Sequence, residues 1–342
     1  INGFTLTSEH LIFISNLSKL RILSLTQNAW DAETIYPLAW PDSLKEIYAD
    51  TTATPALIRS LKRSSAVQVH FFDDDNTEPF HEEIFELPNL KKLVLGDQPL
   101  SVEVAKKIVQ NGRLRRLNAV IREGNREAIE ILWEGCRLTS LDLAAGIEGL
   151  SFECGTNVCN SIYDLNLTGF SMSTEFLSSL TSMTKLKHFA ADISSNCEEL
   201  AAALNKKTLK SLKIHGSSEE SNLFQKLDPM VSLQELTIFE VVDVTSLTNR
   251  LLFPNLEHLG IYCDTISDED IAQIIQCHSV INLNVMAKRA STLTAEAICS
   301  RMALAGRSIP AIMQRVSKRA TASRGVFEWT VVILPSWPVF IA

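Results

Sequence analysis

Apolar residues recur along the chain in one short pattern, L-x-x-L-x-L, whose fourth and sixth positions keep the period of two expected of a half-buried strand. Leu90-Lys-Lys-Leu93-Val-Leu95, Leu138-Thr-Ser-Leu141-Asp-Leu143, Leu233-Gln-Glu-Leu236-Thr-Ile238 and Leu256-Glu-His-Leu259-Gly-Ile261 show it most clearly. Further copies begin at Leu20, Leu44, Leu114, Ile162, Leu186, Leu209 and Val280, with a weaker one over residues 66–71, and successive starts lie 22 to 24 residues apart. A unit repeated at a fixed short period predicts a solenoid in which each copy packs only on its neighbours.

Each predicted strand leads through a polar turn into apolar residues at helical spacing, as in residues 101–109 and 267–275. Both stretches begin with Ser and place Glu or Asp in the first turn, which suits N-capping and the helix dipole. Residues 125–132, 173–180 and 197–204 read the same way. Near the start, residues 7–17 read as a helical return, with Ser8 as the N-cap and Leu11, Ile12 and Ile14 as its apolar contacts. One period before Leu25 falls on Ile1, so the chain is expected to begin inside a repeat.

A period in this range with this signature is that of the leucine-rich repeat. The expected fold class is α/β: a curved leucine-rich repeat solenoid of about twelve repeats, with a parallel inner sheet and outer helices. Strands spaced about 4.8 Å apart give an inner arc of roughly 50 Å, long enough to grip a folded protein. The expected division is residues 1–19 as the remainder of a truncated repeat and 20–289 as the repeat domain. Residues 290–342 then form either a C-terminal helical cap or the start of an armadillo-like region, with short helices over 293–302 and 309–316 and an irregular apolar tail. Residues 326–342 are apolar but short for a membrane span and broken by Pro335 and Pro338, which favours a packed end piece.

Charge narrows the partners. The net charge is −8, and residues 286–342 hold eight basic and two acidic residues, so residues 1–285 carry −14. A repeat region this acidic is a poor nucleic-acid binder. The seven cysteines are scattered without a C-x-x-C pair, which suits free thiols in a reducing, intracellular compartment.

Catalytic signatures are missing: there is no G-x-S-x-G, no phosphate loop and no G-x-G-x-x-G. His81-Glu82-Glu83-Ile84-Phe85 opens like a zinc-protease helix but has Phe85 where the second histidine belongs. Asp73-Asp74-Asp75 lacks the glycine and distal glutamate of a calcium loop and reads as a solvated turn. No enzyme activity, cofactor or metal is expected.

If the leucines of each unit point into the core, its third, fifth and seventh positions line the concave wall. There the sequence places Glu46, Tyr48 and Asp50; Gln68, His70 and Phe72; Arg116 and Asn118; Ser140 and Asp142; and Asp164 and Asn166. His188, Asp192, Lys213, His215, Glu235, Thr237, Phe239, His258, Tyr262, Asn282 and Asn284 follow. His188 and His258 stand three strands apart, about 14 Å, and cannot share one ion with His215, which lies about 13 Å further along its own strand. A polar protein-binding wall is the better reading, with Tyr48, His70, Phe72, Arg116, His188, His215, Phe239, His258 and Tyr262 as candidate contacts. Aromatics are favoured at interface hot spots, although Phe239 and Tyr262 read equally well as cover for neighbouring strands. The basic second positions, among them Lys91 and Arg115, read as a solvated edge.

The asparagine ladder of many leucine-rich repeats is nearly absent: only Asn28 fits, where other repeats carry Gly146, Phe170, Val241 or Lys288. Helical outer segments without that ladder resemble the ribonuclease-inhibitor-like and F-box types, and the chain is similar to the substrate receptors of cullin-RING ubiquitin ligases, either F-box leucine-rich proteins or the Zyg-eleven family. The resemblance covers residues 20–285. It implies a protein–protein interaction scaffold that recognises substrates on its concave face and meets a cullin-RING adaptor through a box preceding Ile1. The alternative it leaves open is a stand-alone regulator or inhibitor that binds an enzyme directly.

Overall fold

A computed structural model of the chain describes residues 5–26, 29–30, 39–50, 54–72, 82–96, 100–121, 126–135, 137–146, 150–153, 160–193, 196–216, 221–239, 252–265, 279–280, 282–289 and 327–332. The chain divides into two units, Ile1–Phe170 and Ser171–Ala342. The first begins with β1 (Thr5–Leu6), α1 (Ser8–Ser15), β2 (Ile22–Ser24) and β3 (Ala29–Trp30), and continues through β4 (Glu46–Asp50), α2 (Thr54–Leu61) and β5 (Gln68–Phe72). A 3-10 helix (Glu82–Glu86) leads to β6 (Lys92–Val94), α3 (Val102–Asn111), β7 (Arg116–Ile121), α4 (Arg126–Gly135), β8 (Ser140–Ala145), β9 (Ser151–Phe152) and β10 (Asp164–Leu167). The second unit holds β11 (Ser171–Met172), α5 (Thr174–Leu180), β12 (His188–Asp192), α6 (Cys197–Leu204), β13 (Ser211–His215), a 3-10 helix (Ser221–Lys226), β14 (Glu235–Phe239), β15 (His258–Thr265), β16 (Asn282–Arg289) and β17 (Phe327–Val332).

Strand register follows the sequence period. In the first unit β2, β4, β5, β6, β7, β8 and β10 pair in parallel in that order, so Leu23, Ile47, Val69, Leu93, Leu117, Leu141 and Leu165 line up across the sheet. All seven are buried. In the second unit β12 to β16 pair in parallel and align Phe189, Leu212, Leu236, Leu259 and Leu283. Parallel neighbours need a crossover connection, and among the described residues α2, α3, α4, α6 and the two 3-10 helices lie on such connections. The result is an α/β repeat fold with a parallel sheet and flanking helices. Each fully buried leucine contributes about 1.5–3 kcal/mol from burial, and the two-residue alternation directs that burial to one face.

The helices form close to where the sequence places them. Ser101 Oγ accepts from Val104 N at 3.2 Å to start α3, and Gly112 ends it in the left-handed conformation, φ +59°, which costs glycine least. Ser173 Oγ accepts from Phe176 N at 3.1 Å to start α5. In α1 the expected cap shifts by one residue, from Ser8 to Thr7. Thr7 Oγ1 accepts from His10 N, and His10 Nδ1 accepts from Thr7 N, a reciprocal box that requires Thr7 three residues before His10. Leu11 and Ile14 are buried there, one helical turn apart, whereas Ile12 falls off that face and is exposed. The helices expected over 267–275, 293–302 and 309–316, the Asp73–Asp75 turn, and Asn28 lie outside the described residues.

A different ladder stands where asparagines were sought. The residue immediately before the first apolar position of a repeat reaches back to a carbonyl one repeat earlier: Ser43 Oγ donates to Leu20 O at 2.6 Å, Ser161 Oγ to Leu138 O at 2.6 Å and Ser232 Oγ to Leu209 O at 2.8 Å. Asn89 Nδ2 donates to Ser64 O and Asn255 Nδ2 to Val231 O in the same manner. Replacing Ser161 or Ser232 by alanine is expected to lower stability by about 1 kcal/mol each, the usual net worth of one such bond, read as a lower urea midpoint.

Residues 326–342, read from the sequence as an irregular apolar tail, contain β17. It pairs antiparallel with β16, Val285 opposite Trp329. Its aromatic and β-branched residues suit a strand, and its pairing occupies an edge of β16 that would otherwise present unpaired backbone groups.

Candidate functional site

Where burial is described, alternate residues of the strands are committed to the core, and the intervening side chains stand on the open face of the sheet. In the first unit Glu46 organises one cluster. Its Oε1 accepts from Tyr48 Oη at 2.6 Å and lies 2.9 Å from His70 Nε2. Register sets Tyr48 opposite His70, and their rings stack at 4.3 Å with planes 16° apart. His70 is only 7% exposed, so its ring backs Tyr48 from the neighbouring strand and leaves little surface of its own. Phe72 ends the same strand opposite Asp50, and its side chain lies outside the described residues. Further along, Asn118 Nδ2 donates to the Asp142 carboxylate and Ser140 Oγ donates to the Asp164 carboxylate at 3.1 Å. Arg116 is exposed and directly opposite Lys92.

Burial pushes His70 below the ordinary imidazole value of 6.5, helped by the nearby Lys92 ammonium and opposed by Glu46. The folded state therefore favours neutral His70. As pH falls below about 6.5 the unfolded chain takes up this proton first, so the stability contributed by His70 is present above that pH and is lost towards the lower folded value. Wild-type protein is expected to lose urea resistance between neutral and mildly acidic pH, and His70→Gln is expected to flatten that part of the profile. The hydrogen bond to Glu46 is also what most raises Tyr48, followed by burial.

In the second unit the seventh positions of the repeats that begin at Leu209, Leu233 and Leu256 carry His215, Phe239 and Tyr262, brought side by side by the register of β13, β14 and β15. His215 and Phe239 stack at 4.0 Å and 14°, and Phe239 and Tyr262 at 4.4 Å and 19°. Equivalent positions on parallel strands are one strand spacing apart, so rings placed there meet face to face and turn their edges outward. Gly260 lies beside this stack, where an added side chain would crowd Thr237. A Cβ at that position would come within 3.4 Å of Tyr262 Cε2 and 3.2 Å of Thr237 Cγ2. His188 and His258 occupy the third position of their repeats and the first of their strands, three strands apart, at the opposite end of the strands from this stack.

The sequence places the candidate contacts on the sheet but does not reveal the acceptor role of Glu46, the inclusion of His215 in the ring stack, or Lys92, the third residue of the repeat that starts at Leu90. Among the described residues no cluster of three or more His, Cys, Asp or Glu is placed to hold a metal ion, Cys197 and Cys263 form no disulfide, and no helix is long and apolar enough to cross a membrane.

No family model matches the chain, and no curated protein matches it. Among solved structures, a leucine-rich repeat protein from Leptospira interrogans is similar at 14% identity, covering 75% of this chain and 82% of that one, with a TM-score of 0.24. A likeness that distant adds no weight, and the repeat fold stands on register and burial alone.

Proposed function

We propose that this chain is a protein-binding scaffold, a curved leucine-rich solenoid of about twelve repeats over residues 20–289 with a terminal segment over 290–342, whose concave face takes a protein partner. The observation that carries this reading is the stack of His215, Phe239 and Tyr262. Three rings held against one another lose little rotamer freedom on binding, and aromatic anchors of this kind dominate interface energetics. Tyr48, braced by His70 and Glu46, is a second such anchor. Arg116, Phe72, His188 and His258 complete the proposed contact set.

Phe239→Ala combined with Tyr262→Ala is expected to weaken capture of the partner by tenfold or more, as for hot-spot aromatics worth about 2 kcal/mol each, while the far-UV circular dichroism spectrum stays that of the folded wild type. Unchanged capture of every partner bound by the wild-type protein would refute the reading. A narrower role, as the substrate receptor of a cullin-RING ubiquitin ligase, rests on family resemblance. Co-purification of a cullin with the full-length protein supports it, and co-purification of an enzyme without a cullin favours a stand-alone regulator.

A further inference from the structure

Among the described residues, the open face of the first unit holds two cations with no ion-pair partner. Lys92 and Arg116 stand directly opposite on β6 and β7, so their side chains leave the same face about one strand spacing, roughly 5 Å, apart. Like charges placed so are destabilising. Among the described residues neither has an ion-pair partner, whereas other ionic groups of this unit do: Lys62 pairs with Glu86, and Arg126 with Glu130 and Glu153. The flanking bases are held elsewhere. Arg115 donates to Gly112 O and Leu114 O, and Arg113 donates to Pro88 O, so they add positive field with their guanidinium groups already engaged. Lys91 is exposed at the strand entrance beside the pair.

We propose that Lys92 and Arg116 form a carboxylate-binding pair that receives a short acidic segment of the protein partner, the Arg116 guanidinium taking one carboxylate through paired N–H donors and the Lys92 ammonium taking its neighbour. This deepens the scaffold reading by naming the chemistry of what binds at one place on the face. Charge complementarity sets both the class and the length of the segment. A polyanion such as RNA following the face past β7 would meet the carboxylates of Asp142 and Asp164 on the next two strands, and nucleic-acid affinity grows from many phosphate contacts in a row. A pair of cations bordered by acids instead suits one or two Asp or Glu side chains, with charge-assisted bonds about twice as strong as neutral ones. Neutral His70, beside Lys92, adds no charge of its own above its lowered titration range.

The test is a fluorescence-anisotropy titration of the full chain with a labelled oligoglutamate peptide at low salt. Lys92→Gln with Arg116→Gln is expected to weaken binding about tenfold or more and to flatten its salt dependence. Its thermal midpoint is expected to equal or exceed that of wild type, because a like-charge contact is removed. A charge-matched control, Lys185→Gln with Lys210→Gln, alters exposed lysines of the second unit and is expected to bind as wild type. Equal loss in the control, or no loss in the Lys92 and Arg116 variant, overturns the proposal. So does displacement of the peptide by oligothymidylate at a lower concentration than by unlabelled oligoglutamate, which would make the pair a nucleic-acid contact. Because the titration does not involve Phe239 or Tyr262, its failure leaves the scaffold reading standing, and the failure of partner capture leaves this result to be judged alone.

Discussion

Leu236→Ala is expected to lower the unfolding free energy by about 2–5 kcal/mol, the range for truncating a buried leucine whose surroundings relax only in part. Leu236 is fully buried on β14, opposite Leu212 on one side and Leu259 on the other, themselves 0% and 2% exposed. A cavity there faces apolar side chains of both neighbouring repeats. In a stacked array each interface is shared, so the loss weakens two contacts and the transition of the second unit moves as a whole. Urea denaturation followed by far-UV circular dichroism gives the readout. The informative comparison is with Phe239, three residues further along the same strand and on the opposite face. Phe239→Ala gives up stacked contacts with both His215 and Tyr262 but opens no cavity in the core, so it is expected to lower the unfolding free energy by about 1–2 kcal/mol, less than Leu236→Ala. Equal destabilisation by the two changes would show that the inward and outward positions are misassigned.

That parity is also why so much of the fold was legible in the sequence. Leucines every 22 to 24 residues fix the spacing of the strands, and strand-to-strand register reproduces the same interval, as in Leu93 opposite Leu117 and Leu212 opposite Leu236. Once register is set, the residues on the open face follow by alternation, which is how Tyr48, His215, Phe239 and Tyr262 were placed there. What they do to one another was not legible. Whether His70 is exposed or buried depends on Tyr48 lying over it and on Glu46 reaching Nε2, contacts between repeats that no single-repeat pattern encodes. The serine ladder escaped notice for a different reason. The ninth position is the habitual place for a polar ladder, yet here the donors stand just before the first leucine, at Ser43, Ser161 and Ser232. A small polar residue stands at that position in the sequence, but serine is common in turns, so it carries no distinctive ladder signature. The β17 strand was hidden by the two prolines that follow it, which made the whole stretch read as irregular.

Phe152→Ala is expected to cost the first unit about 3–5 kcal/mol, at the upper end for a core aromatic. No leucine pattern marks this residue: it lies in β9, between one L-x-x-L-x-L unit and the next. It is nonetheless fully buried, with Trp133 of α4 edge-on at 5.5 Å and Phe170 edge-on at 5.7 Å. Both neighbours are 1% exposed, so the three rings form a continuous apolar column. Edge-to-face pairs of this kind are worth about 0.5–1.5 kcal/mol each beyond area burial, and Phe152, as the middle ring, takes part in both. Removing it therefore forfeits its own burial and two ring contacts, whereas removing Phe170 forfeits one contact of the column. The expected order of destabilisation is Phe152→Ala above Phe152→Leu, since leucine refills most of the volume but restores neither ring contact. Near-UV circular dichroism is the sensitive readout, because the asymmetric environment of Trp133 depends on the ring beside it. A Phe152→Leu variant as destabilised as Phe152→Ala would mean that ring geometry, and not filled volume, holds the column together.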